Sequence, residues 1–259
     1  MILLLIKIIN YFVLLYYMYN KLFIIIIIFI IIFFYFINSR CLYYSAINYF
    51  SNIINPYIAS NSLIGNKPFY NSSFLHETRI LNKNWKIFRD EALLSYNSYS
   101  DVKGDYFFED DIIKTNNKWK KMYIKWHSNI DPLAKKLCPK SSNIISSLPN
   151  IKLAMFSLLE PGTKIHPHHG PYKGLIRYHL GLITPNSDNC FISVNNIKYS
   201  WKDGDGIIFD DTFEHWVNNN TDKQRIILIC DIIRPVNYLA HIINISLINI
   251  FTSFISNTN

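Results

Sequence analysis

Five of the eight histidines of this chain fall between positions 166 and 215: His166, His168, His169, His179 and His215. Neutral imidazole is the commonest metal ligand near neutral pH, so this clustering sets a metal site against the plainer alternative of surface and core histidines. His168 follows a proline-containing turn, and His215 opens an apolar run after the acidic pair Asp210-Asp211. In the run Leu175-Ile-Arg-Tyr-His-Leu-Gly-Leu, strand alternation puts Arg177 and His179 on one face and Ile176, Tyr178 and Leu180 on the other. The same rule puts Arg225 on one face with Ile227 and Ile229. Burying a cation and an imidazole unpaired in a dry core costs several kcal/mol. The pattern suits the mouth of a barrel that holds an anion beside a metal. Spacing by itself leaves both readings of the histidines open.

Residues of this kind need strands to position them. After residue 150 the sequence breaks into short apolar runs: Lys152–Leu159, Leu175–Ile183, Cys190–Val194, Ile197–Trp201, Gly206–Phe209, His215–Val217 and Arg225–Ile233. Asn195-Asn196 between two of them fits a two-residue hairpin turn. Short strands at this spacing predict a β-sandwich or small barrel. Before them, residues 80–96, with Trp85, Ile87, Phe88, Ala92 and Leu93, read as one amphipathic helix. Residues 130–147 read as a second helical stretch interrupted near Pro139. Helices followed by runs of strands make the class mainly β (α+β), not a doubly wound sheet.

Four ordered blocks carry a resemblance. They are Phe156-Ser-Leu-Leu-Glu-Pro-Gly-Thr, Pro167-His-His-Gly-Pro-Tyr-Lys-Gly-Leu-Ile-Arg-Tyr-His-Leu-Gly-Leu, Ile208-Phe-Asp-Asp-Thr-Phe-Glu-His, and Gln224-Arg with Asp231-Ile-Ile-Arg-Pro. Together they resemble the aspartyl/asparaginyl β-hydroxylase family of Fe(II)/2-oxoglutarate dioxygenases. The likeness runs from about residue 66 to 236. It implies a double-stranded β-helix (jelly-roll, cupin-like) with flanking helices. It also implies Fe(II), 2-oxoglutarate as cosubstrate and O2, used to hydroxylate an unactivated C–H bond. By position, His168 and His215 match the two iron-binding histidines. Arg225 matches the arginine that pairs with the distal carboxylate of 2-oxoglutarate, whose planar fork suits a carboxylate. Ser157, Arg177 and His179 match further residues around the cosubstrate. Gly170 stands where most 2-oxoglutarate oxygenases carry a third, carboxylate ligand. Gly170-Pro-Tyr-Lys-Gly with Arg177-Tyr-His is also similar to the membrane-associated branch that hydroxylates lipid A acyl chains. The resemblance therefore leaves two substrates, a peptidyl Asp/Asn or an acyl chain. No tetratricopeptide-like region of the kind that precedes the animal peptide enzymes is seen.

The remaining residues of these blocks have plainer expectations. His166 and His169 read as exposed neighbours of a ligand, Asp210 and Asp211 as turn residues that orient His215, and Trp201 and Trp216 as barrel packing. Tyr172 and Lys173 either touch substrate or lie in a solvated loop. Two competing functions share the barrel: a non-catalytic cupin-like protein that binds a metal or ligand, and a zinc hydrolase, for which no general base stands out.

Composition bounds the rest. With 50% apolar and 17% charged residues among 259, a mostly disordered chain is excluded. The net charge of +8 holds no basic cluster beyond Lys118, Lys120 and Lys121 around Trp119, so nucleic acid is not an expected partner. Four cysteines without a CxxC argue against a zinc-thiolate site or a dense disulfide framework, and leave one or two disulfides open. Between Ile2 and Ile37 only Lys7 and Lys21 are charged. Residues 1–40 are therefore read as an uncleaved, single-pass membrane anchor with a cytosolic N-terminus (type II). A two-helix hairpin would reverse that orientation. The 16-residue core from Leu22 to Ile37 is about 24 Å of helix, short of a bilayer of about 30 Å without help from its flanks. Residues 41–65 read as a linker, 66–236 as the oxygenase domain, and 237–259 as an apolar helix. In that helix Leu239, Ile242, Ile243, Leu247, Ile250 and Phe254 recur at helical spacing. It packs on the domain or lies at a membrane surface. The partners implied are a membrane and a peptide or lipid substrate.

Overall fold

The computed structural model describes residues 51–101, 118–126 and 129–256. The expected anchor over 1–40 and the start of the linker lie outside the described residues. The chain divides into a unit 1–54 and a unit 55–259, and the second carries the site. Among the described residues no helix is long and apolar enough to cross a membrane.

Among the described residues, twelve strands make two antiparallel sheets. The larger takes β1 (Phe69–Tyr70), β2 (Ser100–Asp101), β3 (Trp119–Trp126), β4 (Asn129–Ile130), β5 (Ile151–Leu159), β7 (Leu175–Ile183), β10 (Gly206–Phe209) and β12 (Arg225–Ile233). Its order is β1-β10-β7-β12-β5-β3-β2, with β4 paired to β3. The smaller takes β6 (Thr163–His168), β8 (Cys190–Val194), β9 (Ile197–Ser200) and β11 (His215–Asn219), in the order β6-β11-β8-β9. The two face each other as a jelly roll. Met155, Leu159, Ile227 and Ile229 of the larger sheet pack against Ile165, Ile192, Val194 and Val217 of the smaller. The opposite face of the larger sheet offers Phe156, Leu158, Tyr178, Leu180, Leu228 and Cys230 to the helices. Period-2 alternation thus assigns even positions of β7 and β12 to the helix side and odd positions to the space between the sheets.

The helices are α1 (His76–Lys83), α2 (Trp85–Leu94), α3 (Pro132–Leu137), α4 (Pro139–Ser146) and α5 (Tyr238–Ser256). The single helix expected over 80–96 is two. Asn84 breaks it, its side-chain amide donating to the Ile80 carbonyl at 2.9 Å and closing α1. The stretch 130–147 is interrupted as expected, with Asp131 capping α3 through Leu133 N (2.8 Å) and Ala134 N (3.1 Å), and Pro139 opening α4. Asn195 and Asn196 adopt φ of 48° and 63° and join β8 to β9 through the Val194–Ile197 pair, the left-handed geometry of a tight hairpin.

Part of the expected linker is structured. Residues 51–60 are helical, and Asn55 holds the loop before β7, donating to Pro171 O (3.1 Å) and accepting from Lys173 N (2.9 Å). An Asn/Ser/Tyr-rich composition hid this because the polar side chains here bond backbone rather than solvent. Three of the four cysteines, Cys138, Cys190 and Cys230, are free and buried.

Candidate functional site

β6 and β11 bring the two histidines together. Their register pairs Val217 with Ile165 but His215 with His168, so Trp216 of β11 faces two residues of β6, His166 and Pro167. That extra residue is a β-bulge, and it turns His168 onto the inner face that Ile165 already occupies. The two rings stand 4.1 Å apart between centroids. β6 is an edge strand, which is why Pro167 is tolerated one residue before His168.

Each ring is oriented by backbone. His168 Nδ1 lies 2.8 Å from the carbonyl of His166, and His215 Nδ1 lies 3.0 Å from that of Phe213. A carbonyl only accepts, so the proton sits on Nδ1 and Nε2 keeps its lone pair. Burial lowers the His168 pKa to about 4. Burial, reinforced by the neighbouring His168, takes His215 well below the ordinary range. Both imidazoles are therefore neutral at pH 7, the form that binds a metal. Asp210 and Asp211 do not orient His215, contrary to expectation, because the Phe213 carbonyl already does.

Asp211 does something else. A Cβ on Gly170 would meet its carboxylate at 2.6 Å, and Gly170 N donates to Asp211 O at 2.7 Å. The volume that a side chain at position 170 would enter is filled by a carboxylate from the turn before β11. That carboxylate pairs with Arg177 at 3.1 Å, and its pKa is pushed up to about 6 by burial, with Arg177 pulling the other way.

The remaining expected residues share the inner face of the larger sheet. Arg225 is 1% exposed, with Nη2 donating to Ser157 Oγ at 3.3 Å. It has no carboxylate partner among the described residues, and its Nε finds no hydrogen bond. Burial pulls its pKa down to about 10, still leaving it charged at neutral pH. Ser157 Oγ also accepts from Trp119 Nε1 at 3.0 Å. With both lone pairs used, its O–H is left to donate. His179 is buried, its ring 4.8 Å from Phe209, which in turn lies 5.8 Å from His215. Neither ring nitrogen of His179 has a partner, and burial, then Arg225, hold its pKa well below the ordinary value.

Arg177 reaches the same face but differs. Its fork is filled by Asp231, Nε to Oδ1 at 2.7 Å and Nη2 to Oδ2 at 2.9 Å. Burial opposes its charge, but Asp231 and Asp211 outweigh that and raise its pKa above the ordinary value.

His166 and His169 are exposed, and Trp216 packs on Phe191 at 5.1 Å. Tyr172 is half-buried and Lys173 buried, and both bond within the protein. Tyr172 donates to Asn244 Oδ1 (2.6 Å), and Lys173 Nζ to Asp210 Oδ2 (2.7 Å). The sequence reading missed the buried knot around Asp210, which also takes Arg234, Thr212 N (3.0 Å) and Thr212 Oγ (2.6 Å). Its signal was the opposite charges of Asp210 and Arg234, each within one of the blocks that carry the resemblance.

Among the described residues no group of three His, Cys, Asp or Glu could hold a metal. The pair His168/His215 offers two neutral nitrogen ligands, a set that suits Fe(II) with open positions. The unpartnered Nε of Arg225, the O–H of Ser157 and the N–H of His179 fit a carboxylate-bearing cosubstrate on the inner face of the larger sheet.

The sequence pattern of the aspartyl/asparaginyl beta-hydroxylase family matches residues 82–235. The chain is 34% identical over 206 residues to the ornithine lipid ester-linked acyl 2-hydroxylase of Rhizobium tropici, covering 74% of this chain and 70% of that protein. It is 31% identical over 160 residues to the human aspartyl/asparaginyl beta-hydroxylase, covering 60% of this chain and 21% of that protein. A solved prolyl-4-hydroxylase of Pseudomonas putida overlays with a TM-score of 0.43 at 11% identity, over 69% of this chain and 97% of that one.

Proposed function

This chain belongs to the aspartyl/asparaginyl β-hydroxylase family, and on that premise we propose that it is a membrane-associated, Fe(II)- and 2-oxoglutarate-dependent hydroxylase acting on an acyl chain. The observation that carries the reading is the buried, uncompensated charge of Arg225 on the inner face of the larger sheet, while two neutral imidazoles meet on the smaller sheet. A lone buried cation costs several kcal/mol, and a site that keeps one is made for an anion. Bound between these residues, iron and 2-oxoglutarate would activate O2, with one oxygen atom going to the C–H bond and the other to succinate as 2-oxoglutarate loses CO2.

The roles of the chain's own residues follow. His168 and His215 would hold the metal through Nε2, with the His166 and Phe213 carbonyls fixing both tautomers. Arg225 would take the distal carboxylate, Ser157 would donate its O–H to it, and His179 lies beside them. The inner face around them (Met155, Ile227, Ile229, Phe209) is apolar and keeps water from the reacting centre.

Two observations favour the acyl chain over a peptidyl acid. A second arginine at the site, Arg177, already carries two carboxylates, leaving the trio with one excess negative charge that disfavours an acidic substrate. In α5, Tyr238, Leu239 and Ile242 are exposed, and Val236–Asn259 contains no charged residue, which suits contact with lipid. α5 also bonds the loop behind the metal pair through Asn244, which donates to Gly174 O at 2.9 Å.

The test is an anaerobic titration of the protein with Fe(II) and then 2-oxoglutarate, followed by aerobic succinate formation with acyl lipids and with Asp/Asn peptides. A visible charge-transfer band that is lost in His215→Ala and needs far more 2-oxoglutarate in Arg225→Ala is the expected result. A folded protein with no band would leave a metal- or ligand-binding barrel without turnover. Succinate formation stimulated by peptides and not by lipids would overturn the acyl assignment alone.

A further inference from the structure

Trp201 follows β9 and is fully buried, yet its indole N–H has no hydrogen-bond partner among the described residues. The guanidinium carbon of Arg225 lies 4.5 Å over its ring, and the His179 ring stacks on it at 6.0 Å. Arg225 and His179 thus both lie beside the Trp201 ring, and each of the three keeps a bare polar nitrogen: Nε1 of Trp201, Nε of Arg225, and both imidazole positions. Buried polar groups are nearly always satisfied, so three bare ones at one spot mark a seat for a polar group rather than a packing defect. The seat's chemistry is that of a donor. Indole and guanidinium nitrogens only donate, and Ser157 has its O–H left to give. An anion satisfies such a set; a cation or an aliphatic group does not.

We propose that Trp201 is part of the seat for the distal carboxylate of the cosubstrate. Its N–H donates to a carboxylate oxygen, while its ring face holds the Arg225 fork in position for the same group. Sequence reading gave this residue a packing role, which the bare N–H does not fit. The assignment rests on the 2-oxoglutarate reading above, and the experiment separates the two.

The experiment is calorimetric binding of 2-oxoglutarate and of oxalate to the full-length protein in detergent, with Zn(II) in place of Fe(II). Oxalate occupies the metal but lacks the distal carboxylate. Trp201→Phe keeps a ring under Arg225 and removes only the N–H. Loss of one charge-assisted hydrogen bond is expected to weaken 2-oxoglutarate about tenfold or more and leave oxalate unchanged. In parallel, the indole signal of Trp201 in the parent protein is expected to move downfield when 2-oxoglutarate is added and to stay put with oxalate. That measurement needs no variant to fold. Arg225→Met is the reference for losing the seat altogether. A parent that binds oxalate but gains nothing from 2-oxoglutarate would sink the functional reading. A parent that does gain, with Arg225→Met weakened, Trp201→Phe unchanged and a static indole signal, would sink the role of Trp201 and nothing else.

Discussion

Arg225 and Arg177 are both buried on the inner face of the larger sheet, and their partners set them apart. Asp231 and Asp211 compensate Arg177, while Arg225 meets only the hydroxyl of Ser157 and the face of Trp201. Opposite stability effects follow. Arg177→Met strands two buried carboxylates and is expected to cost about 3–5 kcal/mol. Arg225→Met removes an unpaired charge and is expected to leave stability of the metal-free protein unchanged or higher. Urea unfolding of both variants decides it, and an equal loss in the two would refute the distinction. The histidines add a pH dependence. His168 drops from an ordinary value near 6.5 to about 4. Between these values the unfolded chain binds more protons than the folded one, so stability is complete above about pH 6.5 and declines as pH falls toward 4. His215 and His179 shift the same way. Thermal unfolding of the metal-free protein should fall in that window, and a flat profile would show the rings are not buried neutral. Alternation placed Arg177, His179 and Arg225 on strand faces and the family blocks singled out Ser157, His168 and His215; the structure sets Ser157, Arg177, His179 and Arg225 on the larger sheet and pairs His168 with His215 on the smaller. The occupancy of the Arg177 fork was not legible, because it depends on the register that sets Asp231 opposite Arg177.

At the scale of elements, strands between glycine, proline and asparagine turns were legible. Leu175–Ile183, Cys190–Val194, Gly206–Phe209 and Arg225–Ile233 coincide with β7, β8, β10 and β12. Two strands at the site were not. In β3 alternation is masked by Lys121 and Lys125, which are 6% and 4% exposed. Lys121 donates to Tyr123 OH and Lys125 to the Leu148 carbonyl. In β6 the apolar signal is one residue, Ile165, and the bulge breaks the alternation where the ligand stands. The β8–β9 hairpin was legible because Asn is among the few residues that adopt positive φ cheaply. Its turn fixes the register of β9, the strand that leads into Trp201. Asn195→Ala and Asn196→Ala are each expected to cost about 1–2 kcal/mol, while Asn196→Gly costs nothing. Denaturation midpoints with unchanged slope would check this. An Ala variant as stable as the parent would mean that the turn does not set the register.

For the molecule as a whole, one buried knot ties distant stretches of chain. Asp210 and Arg234 are both 0% exposed and bonded to each other, and Lys173 joins them at 2.7 Å. Arg234 also donates through Nε to Lys173 O (2.6 Å) and through Nη1 to Tyr70 OH (3.1 Å) and Gly65 O (3.4 Å). The end of β12, the turn before β11 and the loop after β6 therefore share one carboxylate, and Arg234 ties residues 65–70 to it. Two of these segments flank the metal pair, since Gly170 and Asp211 lie within three residues and one residue of Lys173 and Asp210. Removing that carboxylate leaves two buried cations facing each other. Asp210→Ala is accordingly expected to cost about 3–5 kcal/mol and to weaken Zn(II) binding, because the loop and the turn lose their common anchor. Adding Arg234→Met removes one of the stranded cations, so the double variant should recover part of the loss, a coupling that independent sites would not give. Denaturation and Zn(II) titration of the single and double variants measure both effects. Stability within about 1 kcal/mol of the parent in Asp210→Ala, or strictly additive losses in the pair, would mean that the three charges are separately solvated and that the metal pair is held by the strands alone.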